Sequence, residues 1–433
     1  MQLSLFYDYR GILDSSSFHR KYDALFLAFD KVYNQPDYPS FGRKGYRRSA
    51  YLKALIFKES EKIKYTSDLI RSLDSHPVIE MMCGFTPGKL PDASRFSDFL
   101  SSAKNSEIEK MLYSAAQLLI DNGDITTDIL IGDSKPIKAN TKHNNPKNPN
   151  RSRDKKQKIK RNPSASFGYY SYLKQPTADK KKQFSFFWGY RTHVLVSNEG
   201  IVLVEITKPN NVHDKIVVKA LMRKVKRIYG QKKGRKIILD AAYDYNDIYN
   251  FITDEMKSEA FIALNPRYKK PVESFNKQGY PICEAKLTMK YCGITSDDKR
   301  TRMKYRCPIK GGSKKELAKL PQECSVKHHL FYTDKCYGCT AYVDVNGEVR
   351  SKVARHSKNY QDTFDLRTEV ERYFSRLGPR ECEELSLYNY SAIRNKMTIA
   401  HLTLNLVAVA AAIILEQPKK IRCYKTFADK LTA

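Results

Sequence analysis

The chain has 433 residues, with 77 Lys and Arg against 47 Asp and Glu, a formal net charge of +30. Hydrophobic residues at 41% and aromatics at 12% exclude a disordered chain, and the length suits two to four domains at roughly 100–200 residues each. So large a positive charge points to a polyanionic partner, nucleic acid first, because phosphate contacts and counterion release draw on Lys and Arg.

The opening MQLSLFYDYRG shows no basic segment followed by an apolar run, so no secretory leader is expected. Nine cysteines, an odd number in a long chain, do not read as a secreted disulfide framework, and a cytoplasmic protein is expected. Residues 1–122 read as helical. Ser49–Ile63 spaces its apolar residues by three and four, Asp92 is placed to cap a further helix, and another covers Glu107–Asp121. Arg43, Lys44, Arg47 and Arg48 cluster ahead of one helix, which suits phosphate contact.

After Gly123 the pattern changes. TTDILIGDSKPIKA reads as a strand, with Asp133 just past its apolar centre. Residues 142–182 follow with 13 Lys and Arg against 2 acids, a net +11. Their asparagines, prolines and serines predict a flexible loop without regular structure. Phe167, Tyr169, Tyr170 and Tyr172 are interleaved with the cations, which suits a nucleic-acid strand. YRTHVLVSNEGIVLVEIT alternates around Asn198-Glu199-Gly200 as a hairpin. An amphipathic helix (Val212–Tyr229), a strand ending at Asp240, a helix near Asn246–Lys257 and a strand at Phe261–Asn265 come next. The rhythm predicts an α/β fold, a mixed sheet flanked by helices. Residues 268–350 break it with short alternating runs and hold six of the nine cysteines. Helices return at Asp365–Leu377 and Ala392–Glu416. The apolar run Leu406–Leu415 is far shorter than the about 20 residues a membrane span needs, so a core helix is expected.

Asp133 and Asp240 each stand where an apolar strand meets a polar loop. A lone Asp there is most often a turn former. A neighbouring pair in a basic protein suggests divalent cations, which relieve carboxylate repulsion through oxygen ligands. A third acid is expected from FDLRTEVERYFSRLG. There Glu369 and Glu371 face different sides of a helix, and Arg367 and Glu371, four apart, share one. Spacing alone does not choose between the two glutamates.

These segments together resemble the DDE transposases of bacterial insertion sequences, whose catalytic domain is RNase H-like. GDSKPIKAN (132–140) resembles the strand of the first aspartate, and WGYRTHVLV (188–196) the family's Gly-Tyr-Lys/Arg-x-His strand. ITKPNNVHD (206–214) resembles the approach to the next helix, and LDAAYD (239–244) the second-aspartate motif. SRFSDFL resembles the helical N-terminal region. Phe364-x2-Arg367-x3-Glu371-x6-Gly378 matches part of a Tyr-x2-Arg-x3-Glu-x6-Lys signature.

The resemblance implies Asp133, Asp240 and Glu371 as catalytic and metal-ligating residues holding two Mg²⁺ or Mn²⁺ ions. It further implies DNA cleavage at the element's ends and strand transfer into target DNA. DNA contacts are expected from Arg367, Lys135, Arg191, His193, Lys155, Lys156, Lys180, Lys181 and Arg376. The implied partners are terminal inverted repeats and target DNA, bound by a homodimer on paired ends in the bacterial cytoplasm at the nucleoid. Phe364 and Gly378 depart from the signature, losing a hydroxyl and a cation that Arg376 or Arg380 could replace. The implied architecture is a helical DNA-binding domain over 1–122, then an RNase H-like domain over 123–433 with a β-rich insertion at 268–350. Cys336 and Cys339 form a C-x2-C and, with Cys307 and Cys324, could hold a structural Zn²⁺ in a subdomain too small for a core of its own. Two competing readings share the fold: a DNA-binding derivative retired from catalysis, and an RNase H-like nuclease without strand transfer.

Overall fold

The computed structural model describes residues 11, 13, 15–38, 45–151, 154, 159–173, 182–265, 274–276, 278–297, 300–311, 321, 323–326, 338–344, 353, 355, 357–380 and 382–421. They fall into two compact units, the first drawn from residues 1–240, 256–259 and 365–433, the second from 241–255 and 260–364.

The first unit opens with helices α1 (Ser17–Val32), α2 (Arg48–Ser60), α3 (Thr66–Asp74), α4 (Pro77–Cys83), α5 (Ala93–Ser102) and α6 (Asn105–Asp121). Ser16 and Asp92 cap α1 and α5, and the Asp92 carboxylate accepts from Arg95 N–H at 3.0 Å. A sheet follows, made of β1 (Ile129–Lys138), β2 (Ser166–Leu173), β3 (Lys182–Ser197), β4 (Val202–Pro209) and β5 (Lys236–Leu239), with helix α7 (Asp214–Tyr229) between β4 and β5. β3 lies antiparallel to β1, β2 and β4, and β5 lies parallel to β1. The antiparallel β1, β3 and β4 followed by the parallel β5 give the RNase H-like mixed sheet, with β2 added beside β3. Helix α7 packs on β3 and β4. Its mixed surface matches that position, with Val217, Val218, Leu221, Met222 and Val225 buried.

In the second unit are α8 (Asn246–Asn250), β6 (Glu259–Ile262, whose first residue falls in the first unit), and a three-stranded antiparallel sheet. That sheet runs through β7 (Lys290–Asp297), β8 (Arg300–Arg306) and β9 (Thr340–Asp344), as the short alternating runs predicted. The unit closes with α9 (Lys358–Asp365), after which α10 (Thr368–Leu377) and α11 (Tyr390–Val409) belong to the first unit. Helix α11 is buried nearly all round, with every residue from Asn395 to Val409 enclosed. It packs against α1, α2, α5 and α6 and against β4. Together with its continuation to Ile414 it is the one helix among the described residues long and apolar enough to cross a membrane, and most of it is buried inside the protein. Its buried Lys396 pairs with Glu59 of α2 at 2.8 Å, and Asn395 Nδ2 donates to Leu100 O and Ala103 O.

Three sequence expectations are corrected. Residues 142–182 are not without regular structure: Ser166–Leu173 forms β2 along the first half of β3, because Phe167 and Tyr169 find aromatic partners across the strand pair. The helix expected at Asn246–Lys257 is short and passes into a wider turn at Phe251–Glu255. The helix expected from Asp365 begins at Thr368, with α9 a separate helix before it.

Candidate active site

Strand register brings the two aspartates level. β1 and β5 pair as Ile129↔Lys236, Leu130↔Ile237 and Ile131↔Ile238. Two residues further along each strand stand Asp133 and Asp240. The approach is close at Gly132, where a β-carbon would stand 2.6 Å from Leu239 Cδ2 and 2.9 Å from Leu195 Cδ2. A larger residue there would have to displace the ends of the Leu239 and Leu195 side chains. The Asp133 carboxylate accepts from Ser134 N–H at 2.7 Å.

Helix α10 packs against β1 and carries the third acid. Arg367 Nη2 donates to Glu371 Oε1 at 2.6 Å, while half of the Glu371 side chain stays exposed. Glu369 is buried and paired with Arg372, on the side of the helix toward Gly200. The helix thus presents Glu371, not Glu369, to the aspartates. The electrostatics agree: the Asp133 carboxyl is pushed up to about 7, first by burial, then by Asp240, with Glu371 adding to the shift and Arg367 opposing it. Among the described residues no three His, Cys, Asp or Glu side chains converge tightly enough to hold a metal ion. An all-carboxylate donor set with one guanidinium beside it fits a hard divalent cation.

A buried relay supports α10. Tyr373 hydroxyl hydrogen-bonds His401 Nδ1, and His401 Nε2 meets Thr192 Oγ1 at 3.1 Å. One histidine on α11 therefore ties the glutamate helix to β3. Sequence reasoning did not assign His401 this part. The available signal was a histidine inside an otherwise apolar helix.

The remaining expected contacts scatter. Lys135 lies beside the site, with Nζ 2.8 Å from Glu383 Oε1 and 3.5 Å from where a Gly378 β-carbon would be. It is thus the cation nearest the position where the signature lysine is lost. Arg376 donates to Gly200 O at 2.9 Å, and Arg380 is buried against Arg376 O, so the backbone already engages both cations expected there. Arg191 reaches Asp214 Oδ2 (3.2 Å), Ser134 Oγ (3.3 Å) and Tyr169 O (3.1 Å). His193 is corrected as a DNA contact: its ring is 1% exposed, and burial holds it neutral, near 3. Lys155, Lys156, Lys180 and Lys181 lie outside the described residues, as do Arg43, Lys44 and Cys336. In the second unit Cys307 and Cys324 pack with Ile309 against Leu287 and Cys339. Burial and the neighbouring Cys307, Cys283 and Cys324 push the Cys339 thiol up to about 12. Cys283 joins this group without having been expected there.

A family model described as a transposase DDE domain matches residues 125–406, and one described as a transposase domain (DUF772) matches residues 9–102. The first covers more than half of the chain, so the protein belongs to the DDE transposases, enzymes that cut and rejoin DNA phosphodiesters. No curated protein matches. Among solved structures the chain is similar to the cryo-EM structure of a piggyBac transposase synaptic complex with hairpin DNA. Identity is 10% over 96% of this chain and 82% of that one, with a TM-score of 0.36. That likeness is too remote to inform the site.

Proposed function

We propose that Asp133, Asp240 and Glu371 are the catalytic carboxylates of an insertion-sequence transposase that cleaves DNA at the element's ends and joins them to target DNA. The observation that supports this reading is the β1–β5 register, which sets Asp133 level with Asp240, with α10, the helix that carries Glu371, packed against β1. Two Mg²⁺ or Mn²⁺ ions held there would stabilise the attacking and leaving oxygens of an in-line displacement. Arg367 positions Glu371 through its 2.6 Å hydrogen bond. The relay from Thr192 through His401 to Tyr373 fixes the roll of α10, and Lys135 offers a phosphate contact at its C-terminal end.

The helices of residues 1–122 and the basic residues 142–182 are assigned to double-stranded DNA, the inverted repeats and the target, bound by a homodimer at the nucleoid. Zinc at Cys307, Cys324, Cys336 and Cys339 is part of the same proposal, as a staple of the second unit. Metal analysis of purified protein tests it, and metal-free protein of unchanged stability would dismiss it.

The central test is incubation with a duplex carrying the element's end and Mg²⁺. Cleavage and joining are expected, and both should vanish in Asp133→Asn and in Glu371→Gln. Cleavage that survives either substitution overturns the site. Cleavage without joining supports the nuclease reading instead, and binding without chemistry supports the retired derivative.

A further inference from the structure

Strands β2 and β3 leave the body of the sheet as a two-stranded ribbon. Its register pairs Phe167 with Trp188, Tyr169 with Phe186 and Ser171 with Phe184. Opposed residues of an antiparallel pair share a face, so Phe167, Tyr169, Phe184, Phe186 and Trp188 form one continuous aromatic stripe. The rings touch in sequence: Phe167 lies 5.5 Å from Trp188 and 5.9 Å, stacked, from Phe186. Tyr169 stands 5.8 Å from Phe186 and 5.7 Å from Phe184. At its base the stripe is core, with Trp188 2% exposed. Toward the tip Tyr169 is 48% and Phe184 and Phe186 are each 49% exposed. Three large aromatics half in water on adjoining positions form an exposed apolar patch of the kind that marks interaction sites.

Charge selects the partner. The 41 residues that include β2 and reach the start of β3 carry +11 within a chain of +30. Two copies meeting would bring two chains of +30 together, whereas a phosphate backbone neutralises such charge. Beside the ribbon lies a cleft of about 610 Å³, with Phe186 and Phe187 on one wall, Tyr65 on another, and Lys64, Lys138 and Arg151 along it. Lys138 is held by Glu384 at 2.7 Å, and Lys64 lies over the Tyr65 ring at 5.2 Å. Aromatic faces beside a basic cleft of nucleotide size suit stacked bases with a tracked backbone.

We propose that the exposed aromatic stripe of the β2–β3 ribbon is a stacking platform for unpaired bases of a single DNA strand. The inference rests on the reading of the chain as a DNA-cutting transposase, and it adds that this protein grips the strand after the duplex opens. A duplex recognised only through its backbone leaves no base face to stack, so the rings distinguish unpaired from paired DNA.

The test uses the full chain and three fluorescent probes: a single-stranded oligothymidylate, a blunt duplex, and that duplex with a single-stranded overhang. The variant is Tyr169→Ser/Phe184→Ser/Phe186→Ser. Unchanged emission from Trp188, the only tryptophan, verifies its fold. Affinity for the oligothymidylate and the overhang should fall tenfold or more, at roughly 1–3 kcal/mol per stacked base, with blunt-duplex affinity unchanged. The ratio between wild type and variant should persist as salt is raised, because stacking releases no counterions. Equal losses on all three probes, or no loss on the single strand, overturn the platform. So does a shift from dimer to monomer with single-strand affinity intact, which would make the stripe a contact between copies. Cleavage dependent on Asp133 is measured in parallel. If it is absent while the ribbon still selects unpaired DNA, the catalytic reading fails and the platform stands.

Discussion

Strand β3 does two different things along its length. From Trp188 to Ser197 it is flanked by β1 and β4, with Tyr190, Val194, Leu195 and Val196 fully buried. From Phe184 to Phe187 its strand neighbour among the described residues is β2, and Phe184 and Phe186 stand half in water. Composition does not separate the halves, since both alternate large apolar residues. Cover does: α7 lies on one face of the Trp188–Ser197 stretch and α11 reaches the other, while at the opposite end Phe187 is buried and Phe184 and Phe186 stand half exposed. A covered alternation makes a scaffold that can hold carboxylates rigidly, and an uncovered one makes a surface.

The sharpest break in this comparison is chemical. Asp133 shares its sheet face with Val194 on the covered half of β3. Asp133→Asn keeps the shape and removes the charge, so cleavage should fall by about a thousandfold, the several kcal/mol that metal-assisted charge stabilisation supplies. Thermal stability should hold or rise, because the half-buried carboxyl is already pushed up to about 7. A large drop in melting temperature would show that Asp133 is structural. Next comes packing. Leu195→Ala removes a fully buried side chain beside Gly132 and should cost about 2–5 kcal/mol in urea unfolding. A cost below about 1 kcal/mol would mean that the covered half is not the scaffold.

The third effect depends on pH. His401 is fully buried, and burial with the nearby Lys396 lowers it to about 3. Thr192 and Tyr373 bond its two nitrogens, so the folded ring is neutral. The unfolded chain takes up a proton below about 6.5 and the folded protein does not. Stability from this group is therefore complete above pH 6.5 and is lost as pH falls from there toward 3. The loss is about 1.4 kcal/mol per pH unit within that window. His401→Gln should flatten the acid slope by that amount in unfolding measured at pH 6.5 and pH 5. An identical slope in the variant would mean that His401 is protonated in the fold.

Much of this was legible in sequence because periodicity reports cover. The strand of Asp133, the Asn198–Gly200 hairpin and the core helix holding His401 announced themselves by apolar spacing. The Asp-Asp-Glu set followed from motif order, and resemblance, not spacing, selected Glu371 over Glu369. What stayed hidden depends on residues far apart in the chain. Phe184 and Phe186 look like any strand residues until β2 pairs with them and both stand half exposed. His401 looks like a polar blemish until Tyr373, 28 residues earlier, meets its ring. Lys135 was expected to touch DNA, but its place beside Gly378 required α10 to be laid along β1.

The smallest effect is expected at the uncovered end, and it tests the comparison from the other side. Phe184→Ser and Phe186→Ser each remove a ring that is already 49% exposed and packs against other rings of the ribbon. Surface substitutions away from caps and buried polar groups usually stay within about 0.5 kcal/mol. Cross-strand aromatic pairs contribute roughly 0.2–1 kcal/mol, so each change should fall near or slightly above that limit. Unfolding in urea should show a small midpoint shift with an unchanged slope, against the several-fold larger shift for Leu195→Ala. If the ribbon substitutions matched Leu195→Ala, the tip would be packed into the fold, and the contrast between the halves of β3 would collapse. A small shift leaves these rings with no structural reason to be aromatic, which turns attention to what they touch in solution.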